Sequence, residues 1–155
     1  MSTWSGGRTL GTVAILFSFL LVGCAARLGS EALTPVAASV GGKTMQIYVA
    51  TTRERDLSQN VFTANLANAL NFARFSVSVP PNHTSGNIEM PTATPDPERD
   101  FAVVDRAALS ESEFRQAVTH QNNTRRKKHK VFVFVHGFNN TFQESLSESR
   151  NYKRT

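Results

Sequence analysis

The sequence has a single cysteine, Cys24, among its 155 residues. One thiol cannot form an intramolecular disulfide, and it cannot build a metal site from several cysteines. Carboxylates do not accompany the histidines at ligand spacings, so we expect surface or turn histidines at all four positions. These positions are His83, His120, His129 and His136. The composition therefore predicts no metal site and no cofactor.

Long hydrophobic runs are also scarce. The run from Leu10 to Gly23 has 14 residues, which is short for a membrane-spanning helix and typical of a signal-peptide core. Arg8 precedes it as a short positive region. An export signal over residues 1–23 is therefore predicted, and a transmembrane anchor is disfavoured by length.

The end of this run reads Leu21-Val22-Gly23-Cys24, which resembles a bacterial lipobox. The resemblance implies cleavage before Cys24 and attachment of the chain to membrane lipid through its thiol. Because Ala25 is not acidic, it also implies a cell-envelope location, in the outer membrane if the cell has two. The alternative is an ordinary secretory signal cut near Ala25 or Ala26. Residues 24–42 are small and polar, which is typical of a flexible tether.

Positive charge is concentrated at one end. Residues 25–124 hold 8 Lys and Arg against 10 Asp and Glu, whereas residues 125–155 hold 8 against 2. The run Arg125 to Lys130 is the one stretch that suggests nucleic acid. Aromatic residues do not interleave with it and an export signal precedes it, so we interpret it as a solvated turn and predict no nucleic-acid partner.

Local patterns predict strands alternating with helices. Two-residue alternation indicates strands over Met45–Ala50 and Phe75–Val79, and Phe101–Val104 is a third short strand. Ser110 and Glu113 have the spacing of a capping box, followed by a helical apolar face. Thr51 to Asn60 is predicted as a loop, and Asn82 to Asp100 as a long surface excursion.

The stretch from Val131 to Gln143 is the most informative. Val131 to Val135 is an unbroken apolar run, as in a central parallel strand covered on both faces. Gly137 follows, where glycine permits a sharp turn or the close approach of a ligand. Thr141 and Glu144 then form a second capping box, which predicts the start of a helix.

Three blocks of sequence together resemble one bacterial α/β-hydrolase family of unknown function, whose members are esterase- or lipase-like. The resemblance covers roughly residues 45–146. It implies an α/β fold, namely the N-terminal portion of an α/β-hydrolase sheet with several strands and one or two helices, truncated. The blocks are Tyr48-Val49-Ala50-Thr51-Thr52-Arg53, then Val77-Ser78-Val79-Pro80 with His83 and Gly86-Asn87-Ile88, and Phe132-Val133-Phe134-Val135-His136-Gly137-Phe138-Asn139.

The resemblance implies acyl transfer from an ester substrate by a serine nucleophile, a histidine and an acid. In this fold, one backbone donor to the developing oxyanion comes from the loop after the third strand. The candidates here are His136, Gly137 and Phe138. Phe138 would supply its N–H, Gly137 would permit close approach, and His136 would shape the turn. The alternative is a plain strand-to-helix turn.

The rest of the catalytic machinery is missing from these residues. The sequence has no G-x-S-x-G elbow, and no histidine or aspartate follows Gly137. Residues 147–155 form a polar tail without aliphatic side chains, outside the predicted partial hydrolase domain of residues 43–146. We therefore expect an inactive, truncated relative of a membrane-anchored hydrolase. The alternative is a small non-catalytic envelope lipoprotein used for binding or structure.

Overall fold

The computed structural model describes residues 28–58, 61–84, 89, 91, 94–123 and 132–149. They form one three-stranded antiparallel sheet with a helix on each face and a short 3-10 helix beside it. In chain order the elements are the 3-10 helix Ser30–Leu33, strands β1 Lys43–Asp56, β2 Val61–Val79 and β3 Ala102–Leu109, and helices α1 Glu111–Asn123 and α2 Phe142–Ser149.

The sheet has the order β1-β2-β3, with β2 in the centre. Strands β1 and β2 form a long hairpin that pairs regularly from Lys43 opposite Val79 to Thr51 opposite Asn71. Beyond Thr51 the register shifts twice, so the outer half of the hairpin is bulged. The predicted loop over 51–60 is therefore wrong for residues 51–56, because the long partner strand β2 supplies ladder hydrogen bonds that a local pattern cannot reveal.

The core lies mainly on one face of the sheet. Alternation along β2 places Phe75 and Val77 on that face, where both are fully buried. Phe114 of α1 packs on the opposite face, with its ring centroid 4.9 Å from that of Phe72. The buried core residues are Leu33, Val61, Phe62, Ala73, Phe75, Val77, Phe101, Val103, Phe142 and Leu146.

Part of the predicted tether is packed against this core. Leu33 is fully buried, and its carbonyl oxygen accepts a hydrogen bond of 2.9 Å from Nη1 of Arg106. The N–H of Val36 donates to the carbonyl of Val103 at 2.9 Å, which adds a backbone bond at the edge of β3. Residues 30–36 are held because Leu33 covers apolar surface on the sheet.

The described parts of the predicted excursion, residues 82–100, lie outside the sheet and are tied back to it. Nδ1 of His83 lies 2.8 Å from Oε2 of Glu89, and the His83 ring packs edge-on against Phe101. The N–H of Phe101 also donates to the carbonyl of Glu89 at 3.0 Å. His83 is therefore a packed loop residue that holds the excursion at the start of β3.

The structure corrects the prediction of a central parallel strand over 131–135. Residues 132–135 form no strand, Val133 and Val135 are 75% and 85% exposed, and each described strand pair is antiparallel. Position 131 lies outside the described residues. An apolar run becomes a strand only where a neighbouring strand completes its ladder of backbone hydrogen bonds, and residues 132–135 belong to no strand of the described sheet.

Candidate functional site

The candidate site begins with the turn His136–Asn140 that precedes α2. Nδ1 of His136 lies 2.9 Å from the carbonyl oxygen of Gly137, and because a carbonyl oxygen only accepts, Nδ1 is the donor in this contact. The N–H of Asn140 approaches the same carbonyl at 3.5 Å. His136 and Phe138 are both exposed. The imidazole thus contacts its own turn.

Gly137 is not required by the geometry of the turn itself. A Cβ at this position would lie 3.8 Å from Oδ1 of Asn140, an ordinary van der Waals distance, among the residues that the structure describes. Among the described glycines, the one with positive φ is Gly41 and not Gly137. Close approach of a ligand therefore stays a prediction for Gly137.

The start of α2 is fixed by the predicted capping box. The N–H of Thr141 donates to Oε2 of Glu144 at 2.7 Å, and the N–H of Glu144 donates to Oγ1 of Thr141 at 3.2 Å. The Nδ2 group of Asn140 also donates to Oε2 of Glu148 at 2.7 Å. These contacts satisfy the first donors of the helix and join it firmly to the turn.

Helix α2 is attached to the core by Phe142. This side chain is 6% exposed, and its ring centroid lies 4.9 Å from Phe62 and 5.6 Å from Phe75. The helix runs to Ser149 with Leu146 and Ser147 buried. Phe142 therefore brings the turn against the outer half of the hairpin.

Arg53 of β1 joins the hairpin to the turn directly. Its Nη2 donates to the carbonyl oxygen of Asn140 at 2.8 Å, and its Nη1 donates to the carbonyl oxygen of Thr63 at 3.3 Å. Arg53 is half-buried. Sequence reasoning missed it as a site residue, although it ends the first block of the family resemblance. Its place in that block was visible in the sequence, but its contact with Asn140 was not, because the two residues are 87 positions apart.

A cleft of about 390 Å³ lies between the hairpin and the turn. Its lining is mixed, with aromatic rings, amides, hydroxyls and the Arg53 guanidinium, and it contains no carboxylate among the described residues. Such a lining favours an uncharged or partly negative group. The lining residues are Arg53, Phe62, Thr63, Ala64, Phe138, Asn139, Asn140, Thr141, Phe142 and Gln143.

Of the three predicted turn residues, Phe138 lines the cleft, whereas His136 and Gly137 stand beside it. Ser145 and Ser149 of α2 do not extend the site. Ser145 Oγ donates to the carbonyl of Thr141 and Ser149 Oγ to that of Leu146, each at 2.8 Å. Both hydroxyls are therefore engaged within their own helix.

The predicted lipid-attachment residue Cys24 and the predicted signal, residues 1–23, lie outside the described residues. Within the described part of the chain, no helix is long and apolar enough to cross a membrane.

Comparison with known protein families places a match on this region. Residues 110–151 match the model of a family described as alpha/beta hydrolase of unknown function (DUF900). The matched segment holds α1, the turn and α2. It supports a hydrolase-like family, and the antiparallel sheet with its two helices is consistent with the N-terminal part of an α/β-hydrolase, as predicted. Searches of curated proteins and of solved structures gave no match.

Proposed function

We propose that the turn His136–Asn140 is the oxyanion-binding turn of a serine esterase- or lipase-like hydrolase, held at the cell envelope by lipid on Cys24. The observation that carries the proposal is the hydrolase-family match over residues 110–151. That segment contains Phe138, which lies on the cleft. The match also begins at the cap of α1 and extends through α2, so the turn is matched together with its flanking helices.

The chemistry follows from the charge that develops when an ester is attacked. The carbonyl oxygen becomes negative, and donors held in place beforehand stabilise it. The N–H of Phe138 forms no hydrogen bond to any described residue, so it is open to such an oxygen. The Arg53 guanidinium lines the same cleft and adds positive charge. In this proposal His136 holds the turn through its contact with the Gly137 carbonyl, and the catalytic base is another histidine.

These residues supply one half of an oxyanion hole and no nucleophile. An active hydrolase also needs a serine on an elbow, with a second N–H donor behind it. The 155 residues contain no G-x-S-x-G sequence. The chain by itself is therefore proposed to be inactive.

Treating the purified chain with a fluorophosphonate probe tests this inactivity. We expect no modified serine by mass spectrometry and no hydrolysis of p-nitrophenyl esters. A stoichiometric adduct on any serine would overturn the proposed inactivity and would identify the nucleophile.

The assignment of this turn to a hydrolase is tested separately at the DNA level. Sequencing the locus downstream of the codon for Leu146 and translating all three frames should reveal a strand followed by G-x-S-x-G, with an acid and a histidine beyond it. Unrelated sequence in every frame would contradict the assignment of this turn to a hydrolase.

Anchoring through Cys24 is tested by metabolic labelling with an alkynyl fatty acid. Cells that express the chain should incorporate the label and retain the protein in the membrane fraction, and Cys24→Ser should abolish both. Label in the Cys24→Ser variant, or none in the parent, would rule out the lipid anchor.

A further inference from the structure

We infer that Arg53 is a positioning residue that holds the turn, and with it the N–H of Phe138, in a fixed place against the hairpin. The inference rests on the function proposed for this turn. Its basis is the two-point contact in which Nη2 donates to Asn140 and Nη1 donates to Thr63. A planar guanidinium that bridges two carbonyls sets both distance and orientation.

The backbone of Arg53 is itself immobilised. Its N–H donates to Oγ1 of Thr51 at 3.2 Å, and its carbonyl accepts a hydrogen bond of 3.0 Å from Nδ2 of Asn71. Arg53 pairs with Leu66 between the two register shifts of the hairpin. Irregularities of this kind redirect side chains, and they are over-represented next to active sites. The bulged hairpin therefore aims Arg53 at the turn.

Arg55 provides a matched comparison within the same strand. Its Nη2 donates to the carbonyl of Phe72 at 2.7 Å, and its guanidinium carbon lies 5.4 Å from the centre of the Phe62 ring. These contacts of Arg55 stay within the hairpin. The side chain of Arg53, in contrast, extends beyond the hairpin and binds the segment that precedes α2.

Arg53 also brings a guanidinium without a direct ion pair to the cleft. In the described part of the structure, no carboxylate lies within ion-pair distance of its guanidinium. Its hydrogen-bond partners there are carbonyl oxygens, which leave its formal charge in place. Arg53 thus holds the turn and places a guanidinium on the cleft, while the carboxylates of Glu144 and Glu148 bind Thr141 and Asn140 at the end of the same turn.

The test uses the full chain, labelled with ¹⁵N, and measures backbone order parameters for residues 137–141. In the parent and in Arg55→Gln we expect values of about 0.85, typical of a rigid backbone. In Arg53→Gln the values should fall below ~0.6 for the same residues. The Phe138 cross-peak should shift in Arg53→Gln and keep its parent position in Arg55→Gln. Arg53→Lys, which keeps the charge but loses the fork, should lie between them.

Unchanged order parameters and an unchanged Phe138 cross-peak in Arg53→Gln would overturn the inference. Equal loosening in Arg55→Gln would also overturn it, since the effect would then belong to the hairpin as a whole. If Arg53→Gln does not fold, Arg53→Lys decides by the same measurements. None of these results bears on the assignment of the turn to a hydrolase, which the downstream DNA sequence tests independently.

Discussion

The ring of Phe142 lies edge-on against the ring of Phe62, with centroids 4.9 Å apart and an interplanar angle of 71°. Phe142 is the first residue of α2, and Phe62 lies near the start of β2. Edge-to-face contact adds to the stabilisation that burial of the two rings provides. This one contact joins the segment that carries the candidate site to the hairpin that forms the other wall of the cleft.

Phe142→Ala should lower the free energy of unfolding by about 3–5 kcal/mol, because it empties a buried aromatic site. Urea denaturation measures the change. Phe138→Ala is the matched control on the same segment. Since Phe138 is fully exposed, its truncation should change stability by less than about 0.5 kcal/mol. Similar losses in both variants would contradict the observed packing of α2.

Leu33→Ala should cost about 2–5 kcal/mol, because Leu33 is a fully buried core residue. The control is Val40→Ala, whose side chain is 94% exposed and should be nearly neutral. Chemical denaturation of the two variants compares a packed segment with a tether. If Leu33→Ala leaves stability unchanged, the result would favour the flexible tether that the sequence predicts for residues 24–42.

Stability should depend on Glu113 in acid. Hydrogen bonds from the N–H and the hydroxyl of Ser110 lower the pKa of the Glu113 carboxyl below its ordinary value of 4.5. The pKa of Glu113 is lower in the folded state than in the unfolded state. Its contribution to stability is therefore complete above the unfolded-state pKa and is lost as the pH falls through the folded-state pKa. Glu113→Gln should therefore flatten the acid limb of a urea-midpoint titration.

Glu111→Gln serves as the control for the loss of a carboxylate from the same helix. Glu111 accepts hydrogen bonds from Arg115 one turn further along α1 and takes no part in the capping box. We expect its urea midpoint at neutral pH to change little, because exposed ion pairs contribute little to stability. A parent-like limb in Glu113→Gln would show that the capping carboxyl contributes nothing to the acid dependence.

The exposed apolar stretch at Val133 and Val135 should drive self-association, as exposed apolar segments do. Replacing both residues by lysine should shift the chain towards monomer, measured by light scattering coupled to size-exclusion chromatography, with little change in the urea midpoint. Val40→Lys, at an exposed position outside the stretch, should leave the oligomer distribution as it was. A large loss of stability in the double variant would mean that the stretch is buried after all.

Local signals predicted local structure well. The helix after Ser110 and the helix at Thr141 are confirmed, because a capping box is formed by residues three apart along the chain. The strand predicted over Phe75–Val79 is confirmed within β2, since its alternation matches burial against the core. These features depend on neighbours in sequence, so the sequence is sufficient to predict them.

Contacts between distant residues were not accessible in this way. The alternation around Met45 gave no sign that β1 continues to Asp56, because continuation depends on pairing with the first half of β2. Arg53 belonged to a recognised block of sequence, yet its role depends on Asn140. The signal for a site residue was visible there, but its partner was not.

The sequence by itself determined the two capped helices, the alternating strands and the text that resembles a hydrolase family, because each rests on residues close together in the chain. Only the tertiary structure decided that the sheet is antiparallel and that Leu33 belongs to the core. It also decided that Val133 and Val135 are exposed and that Arg53 reaches the turn. The physical reason is that backbone pairing and burial are satisfied by whichever distant segment is available, and a pattern of apolar residues does not specify that segment.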